Sequence, residues 1–164
     1  MRTGAGFSIT QPREFEANTL YDTPSKQLLE QEMALRLRTS GAKQMITWKG
    51  PGAPGPYKSR PEIETSVGSV EIMARILAQL GYQPSFRYEK YRREYRRPEE
   101  AGVITVDETP LGAFLELEGA GEWIDATAAR LGFAPGDYIL DSYVRLYIKD
   151  CERRGVTPGF MVFS

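Results

Sequence analysis

The stretch from Val103 to Glu118, VITVDETPLGAFLELE, constrains the fold of this chain more than any other. Val103 to Asp107 is a β-prone run, Thr109-Pro110-Leu111-Gly112 is a turn signal, and Ala113 to Glu118 alternates. The pattern predicts two short strands folded back on each other. Alternate side chains of a strand point to opposite faces, so Leu115 and Leu117 share one face and Glu116 and Glu118 the other. Asp107 on the partner strand can complete a group of three carboxylates. Two readings of that face stand side by side. It is the solvated side of a hairpin, or it is a divalent-metal site, because Mg²⁺ takes oxygen ligands and often few carboxylates besides phosphate oxygens.

Elsewhere the chain shows strands and helices in a mixed order. Glu14 to Asp22 reads as a strand ended by Thr23-Pro24, and Met33 to Thr39 sets Leu35 and Leu37 against Arg36 and Arg38. Gln44 to Lys49 is its hairpin partner, and Tyr57 to Val67 places Arg60, Glu62 and Glu64 on a common face. Val70, Met73, Ile76, Leu77 and Leu80 recur at helical spacing between Ser69 and Gly81. Phe86 to Arg97 begins as a strand with Tyr88, Lys90 and Arg92 on one face. Further helices are predicted near Glu122 to Leu131 and from about Ser142 to Arg154. The domain is expected over residues 14–154, with a loose N-terminus over 1–13 that holds at most one short strand around Phe7 to Thr10, and a weakly tethered tail over 155–164.

Composition narrows the chemistry. The 164 residues include no histidine, which excludes Ser–His and Cys–His nucleophiles and disfavours zinc. An enzyme of this composition works with carboxylates, Lys, Arg, Tyr and a bound metal. Cys151 is alone, so no intrachain disulfide forms. A net charge of −1 gives no long-range pull towards nucleic acid or membrane. No apolar run is long enough to span a bilayer and no signal-peptide pattern opens the chain, so the expected location is cytoplasmic.

The charges sort by strand. Arg36, Arg38, Lys49, Arg60, Lys90 and Arg92 are the cations, and Glu62, Glu64, Asp107, Glu116 and Glu118 the acids. Helices pack on apolar strand faces, so the charged faces fall on the other side of one antiparallel sheet. A flat sheet leaves that side in water, and a closed one makes it the lining of a polar barrel. A polyphosphate with its metal fits such a lining, since Arg contacts phosphate bidentately and carboxylates hold Mg²⁺ against the same oxygens.

Several motifs follow one another in order: EANTLYDTP at Glu16 to Pro24, ALRLR at Ala34 to Arg38, TWKGP at Thr47 to Pro51, and RPEIE at Arg60 to Glu64. EKYR at Glu89 to Arg92, VDETPLGAFLELEG at Val106 to Gly119, and SYVRLY at Ser142 to Tyr147 complete the series. The series resembles the CYTH superfamily, or triphosphate tunnel metalloenzymes, and within it the class IV adenylyl cyclase-like branch. The resemblance implies an α+β fold, a closed or nearly closed antiparallel β-barrel with helices packed outside. Its tunnel would bind a nucleoside triphosphate or inorganic triphosphate with Mg²⁺ or Mn²⁺. By motif, Arg36, Arg38, Lys49, Lys90 and Arg92 resemble the phosphate-binding cations, and Asp107, Glu116 and Glu118 the metal carboxylates. Arg60, Glu62 and Glu64 match a further tunnel-lining strand. The activity implied is adenylyl cyclase or triphosphatase, and a homodimer is compatible with it.

One departure stands out. The family opens with a strand bearing Glu-x-Glu-x-Lys, and nothing before Glu14 fits that pattern. Glu14-Phe15-Glu16 has the spacing but stands where the family's second strand begins, so the role is not transferred. A start upstream of Met1 is the favoured explanation over loss of part of the metal site. If the strand is truly lost, the alternative is a non-catalytic triphosphate- or polyphosphate-binding protein. Nucleic-acid binding through the Arg- and Tyr-rich Phe86 to Arg97 is disfavoured, because two glutamates interrupt it.

Overall fold

One long strand, β1 (Ser8–Asp22), organises the sheet. In the computed structural model, which describes residues 6–164, six further strands join it. They are β2 (Ala34–Ser40), β3 (Lys43–Lys49), β4 (Glu62–Ser66), β5 (Gln83–Arg96), β6 (Val103–Thr109) and β7 (Gly112–Glu118). Their order across the sheet is β4-β3-β2-β1-β5-β6-β7, with antiparallel neighbours throughout. The helices are α1 (Gln27–Glu30), α2 (Val70–Gln79), α3 (Gly121–Arg130) and α4 (Tyr143–Arg154). None of them is long and apolar enough to cross a membrane.

The expected loose N-terminus is strand from Ser8 onward, and residues 1–5 lie outside the described part. Pro12 disguises this in the sequence. It has no N–H to give the ladder, and the pairing with β5 shifts register on either side of it, between Ile9 and Gln11 and between Gln11 and Glu14.

The ladders sort side chains to two faces. Leu20 stands between Arg36 and Phe86, and Asn18 between Arg38 and Tyr88. Lys90 pairs with Glu16, Arg92 with Asp107, and Thr105 with Glu116. These residues form the polar face. On the reverse face Tyr21 and Leu37 are buried beneath Leu77 of α2, with Val70, Met73 and Ala74 packed around them. Ser69 caps α2 by accepting from the Ile72 N–H at 3.2 Å. Ile76 and Leu80, which share the helical spacing, are exposed, and Leu80 follows the last helical residue, Gln79, as its cap.

Helix α4 occupies the polar side instead. Its Tyr143, Val144 and Tyr147 pack on Phe86, Tyr88 and Met161, closing one end of that face. The sheet is open, with β4 and β7 as its edges, and it curls. Tyr57, in the loop before β4, reaches Asp125 of α3, just beyond β7, through a 2.7 Å hydroxyl bond. The opposite sheet edges are thereby drawn together.

The tail is tied down where the sequence suggested weak tethering. Met161 is fully buried, donates its N–H to Arg87 O at 3.0 Å, and accepts from Glu89 N at 2.9 Å. It lies along the part of β5 that precedes Tyr91, where the β6 ladder starts. Thr157-Pro158-Gly159 hides this segment by its turn-like composition. Met161→Ala is expected to cost about 2–5 kcal/mol in urea unfolding. A cost under about 0.5 kcal/mol, the range of surface substitutions, would show that the tail is not part of the core.

Candidate functional site

Asp107 lies at the centre of the polar face with no exposed surface. Its carboxylate accepts from Lys90 Nζ at 2.7 Å, Arg92 Nε at 2.7 Å, Arg92 Nη2 at 2.6 Å and the Tyr143 hydroxyl at 2.8 Å. Arg92 also reaches Glu116. Lys90, itself buried, lies 3.5 Å from Glu16 and 5.2 Å above the Tyr143 ring. Strand alternation on β5 and β6 and the antiparallel register bring these groups together.

A second group continues the face across β1, β2 and β3. Arg38 donates to Asn18 at 2.9 Å and lies 3.2 Å from Glu16. Buried Arg36 donates to Thr47 Oγ1 at 3.0 Å and to Glu64 at 3.3 Å, with Glu62 at 3.8 Å. Its Nε is buried without a hydrogen-bond partner among the described residues. Lys49 meets Glu62 at 2.7 Å.

The charges perturb one another in a consistent direction. Burial by itself would raise the Asp107 carboxyl, but the Arg92 hydrogen bonds and the Lys90 and Arg92 charges outweigh it and lower the group below its usual range. Glu16 behaves alike, with burial overcome by Lys90, Arg38 and Arg92. Burial opposes charging of Arg92, yet Asp107 and Glu116 raise its pKa. Burial, together with Glu116 and Asp107, pushes the Tyr143 hydroxyl up, so it stays a donor. Tyr88 goes the other way, because Arg36, Arg38 and Lys90 overcome its burial.

Of the residues singled out in the sequence, Arg36, Arg38, Lys90, Arg92, Asp107 and Glu116 are thus brought onto one face. Lys49, Glu62 and Glu64 extend it at the β3–β4 edge. Arg60 does not line it as a strand residue, because β4 begins only at Glu62. Its donors go to the carbonyls of Glu32, Lys49 and Gly50, which fastens the loop before β4. Glu118 pairs in register with Val103 and is exposed. Glu16, Asn18, Thr47 and Tyr143 were not singled out as site residues. The alternation Glu14, Glu16, Asn18 was a legible signal for the first two, whereas the Tyr143–Asp107 bond joins residues 36 positions apart.

The CYTH domain family matches residues 3–131 of this chain. The chain belongs to the CYTH domain family. A Methanocaldococcus jannaschii protein named as a candidate adenylate cyclase is 31% identical over 114 residues, which are 69% of this chain. The match spans 63% of that relative's length. Solved structures agree in fold. A candidate adenylate cyclase from Vibrio parahaemolyticus superposes with a TM-score of 0.73 at 22% identity, covering 85% of this chain and 83% of that one. A Pyrococcus horikoshii protein gives 0.70 at 24%, covering 88% and 89%. A Hippeastrum protein, described as a candidate adenylyl cyclase with dominant triphosphatase activity, gives 0.61 at 16%, covering 90% and 85%.

CYTH proteins are metal-dependent, so the donor set bears on what this face can hold. Among the described residues no three carboxylates gather as a ready-made cage. Asp107 is taken up by two cations and a hydroxyl, while Glu116 is partly open. Glu116 is the carboxylate of the three that would hold a divalent cation, with the remaining positions left to phosphate oxygens and water, a common arrangement for Mg²⁺.

The lowered carboxyls predict an acid response. Their pairing stabilises the fold above the unfolded pKa values of about 4 and is lost as pH falls through the lower folded values. Urea unfolding should therefore show stability dropping steeply below about pH 4. Asp107→Asn should cost about 3 kcal/mol at pH 7, by leaving buried cations unpaired, and should flatten the acid drop. Equal acid slopes in the two proteins would show that Asp107 is not the charge responsible.

Proposed function

We propose that this CYTH protein binds a nucleoside triphosphate or inorganic triphosphate on its curled polar face and cleaves it with Mg²⁺ or Mn²⁺. The supporting observation is the convergence of Arg36, Arg38, Lys90 and Arg92 on β2 and β5, the two strands that flank β1, with a buried Arg36 donor left without a partner among the described residues. Guanidinium forks suit phosphate oxygens, and cations preoriented by buried partners stabilise charge without reorganising. Asp107 holds Arg92 through two nitrogens and Lys90 through one, so both stay charged and in place. Thr47 and Tyr88 do the same for Arg36. The metal, held by Glu116, would neutralise phosphoryl oxygens as charge develops.

Two outcomes belong to this site. Attack by water at a terminal phosphorus gives a triphosphatase, as described for the Hippeastrum protein. Attack by the ribose 3′-hydroxyl at the α-phosphorus gives cyclic AMP and pyrophosphate, in line with the name of the Methanocaldococcus relative. A non-catalytic polyphosphate binder is the second reading, favoured by the ion pairing of nearly every carboxylate on the face.

Phosphate, pyrophosphate and cyclic AMP release from inorganic triphosphate and ATP, with Mg²⁺, Mn²⁺ or EDTA, tests the proposal. Metal-dependent release is expected, with a drop of about 100-fold or more in Arg92→Ala. Phosphate alone identifies a triphosphatase, and pyrophosphate with cyclic AMP a cyclase. Tight triphosphate binding without any product would leave the binder.

A further inference from the structure

The cations of the polar face are paired in two distinct ways. Asp107 and Glu16, on the interior strands β6 and β1, are sealed from solvent, with side chains 0% and 2% exposed. Glu62, Glu64 and Glu116 lie on the edge strands β4 and β7, with side chains 41%, 36% and 45% exposed. Each edge strand is laddered on one side only. One cation, Arg92, is shared by both classes, and Arg36 is shared between an edge carboxylate and a buried hydroxyl. Arg92 Nη2 meets both Asp107 and Glu116. Arg36 Nη2 meets both Thr47, which is buried, and Glu64, and the Thr47 hydroxyl donates to Glu64 at 2.6 Å.

We propose that Glu116 and Glu64, with Glu62, are built-in counter-anions that occupy the cation sites of the free protein and are displaced when a polyphosphate binds. The proposal rests on the triphosphate reading above. Glu64 and Glu116 keep the carboxylate side of their pairs in solvent, whereas Asp107 keeps none of its surface there, so the edge pairs are the weaker ones and a multiply charged anion displaces them first. The exchange therefore stops at the sealed carboxylates. Arg92 remains gripped by Asp107 through Nε and Nη2, and Arg36 by Thr47 and Tyr88, so both cations meet the ligand already oriented. Displaced Glu116 is then free to face a divalent cation, which couples anion and metal binding reciprocally. The free protein thus carries an internal competitor for its own ligand.

The test is calorimetric titration of inorganic tripolyphosphate in EDTA at about 0.15 M ionic strength, where long-range charge effects are screened. The proteins compared are wild type, Glu116→Gln, Glu64→Gln and Glu30→Gln. Glu30 is exposed on α1 with no ion pair among the described residues, so it controls for simple loss of charge. Glu116→Gln and Glu64→Gln should each tighten binding by at least about two-fold, the loss of one competing carboxylate. Glu30→Gln should stay near wild type. Binding by both Glu116→Gln and Glu64→Gln that equals or falls below wild type would overturn the competitor role and leave the triphosphate reading standing. A gain of the same size in Glu30→Gln would overturn it too, by reducing the effect to net charge. Absence of tripolyphosphate binding in folded wild type and in every variant would bring down both. Glu64→Gln carries the test alone should Glu116→Gln fail to fold.

Discussion

A carboxylate with no contact to water must be paired, and the polar face is arranged around one such group, Asp107. Its four donors come from three positions on two elements, Lys90 and Arg92 of β5 and Tyr143 of α4. The pairing therefore fixes the β5–β6 register, the rotamers of two cations and the seat of a helix at once. A hydrophobic cluster of the same volume could hold the elements together as well. It could not present oriented positive charge, and that is what the arrangement provides.

The two faces of the sheet divide the work. The reverse face packs α2 over Tyr21 and Leu37 in the ordinary way of an amphipathic helix on a sheet. The polar face is divided along β5. Phe86 and Tyr88 turn one end into an aromatic floor on which α4 and Met161 sit, and Lys90 and Arg92 open the other end to charge. Tyr143 stands at the boundary, with its ring against Phe114 and Tyr88 and its hydroxyl on Asp107. Stability and the orientation of the cations are therefore joined at one residue pair rather than kept in separate regions.

Much of this was legible from alternation. The Arg36/Arg38 side of β2, the Tyr88/Lys90/Arg92 side of β5 and the Asp107/Glu116 side of the hairpin all stand where period-two reasoning places them. What escaped depends on contacts far apart in sequence or on local disguise. Pro12 broke the apparent start of β1, and a Thr-Pro-Gly turn concealed buried Met161. Arg60 looked like part of a charged strand, but three backbone carbonyls claim its donors. Ile76 and Leu80 matched helical spacing, yet spacing alone does not say how wide a stripe the sheet covers. The sequence also could not show that Asp107 is sealed among its partners whereas Glu116, though paired with Arg92, stays partly exposed.

In the proposed function a triphosphate lies across β1, β2 and β5 among Arg36, Arg38, Lys90 and Arg92. A crystal structure grown with inorganic tripolyphosphate is the direct test. Phosphate density within hydrogen-bond distance of those four side chains, with the Asp107 pairs intact, is the expected result. Tripolyphosphate bound elsewhere, while the four cations keep every carboxylate partner they have in the free protein, would contradict it.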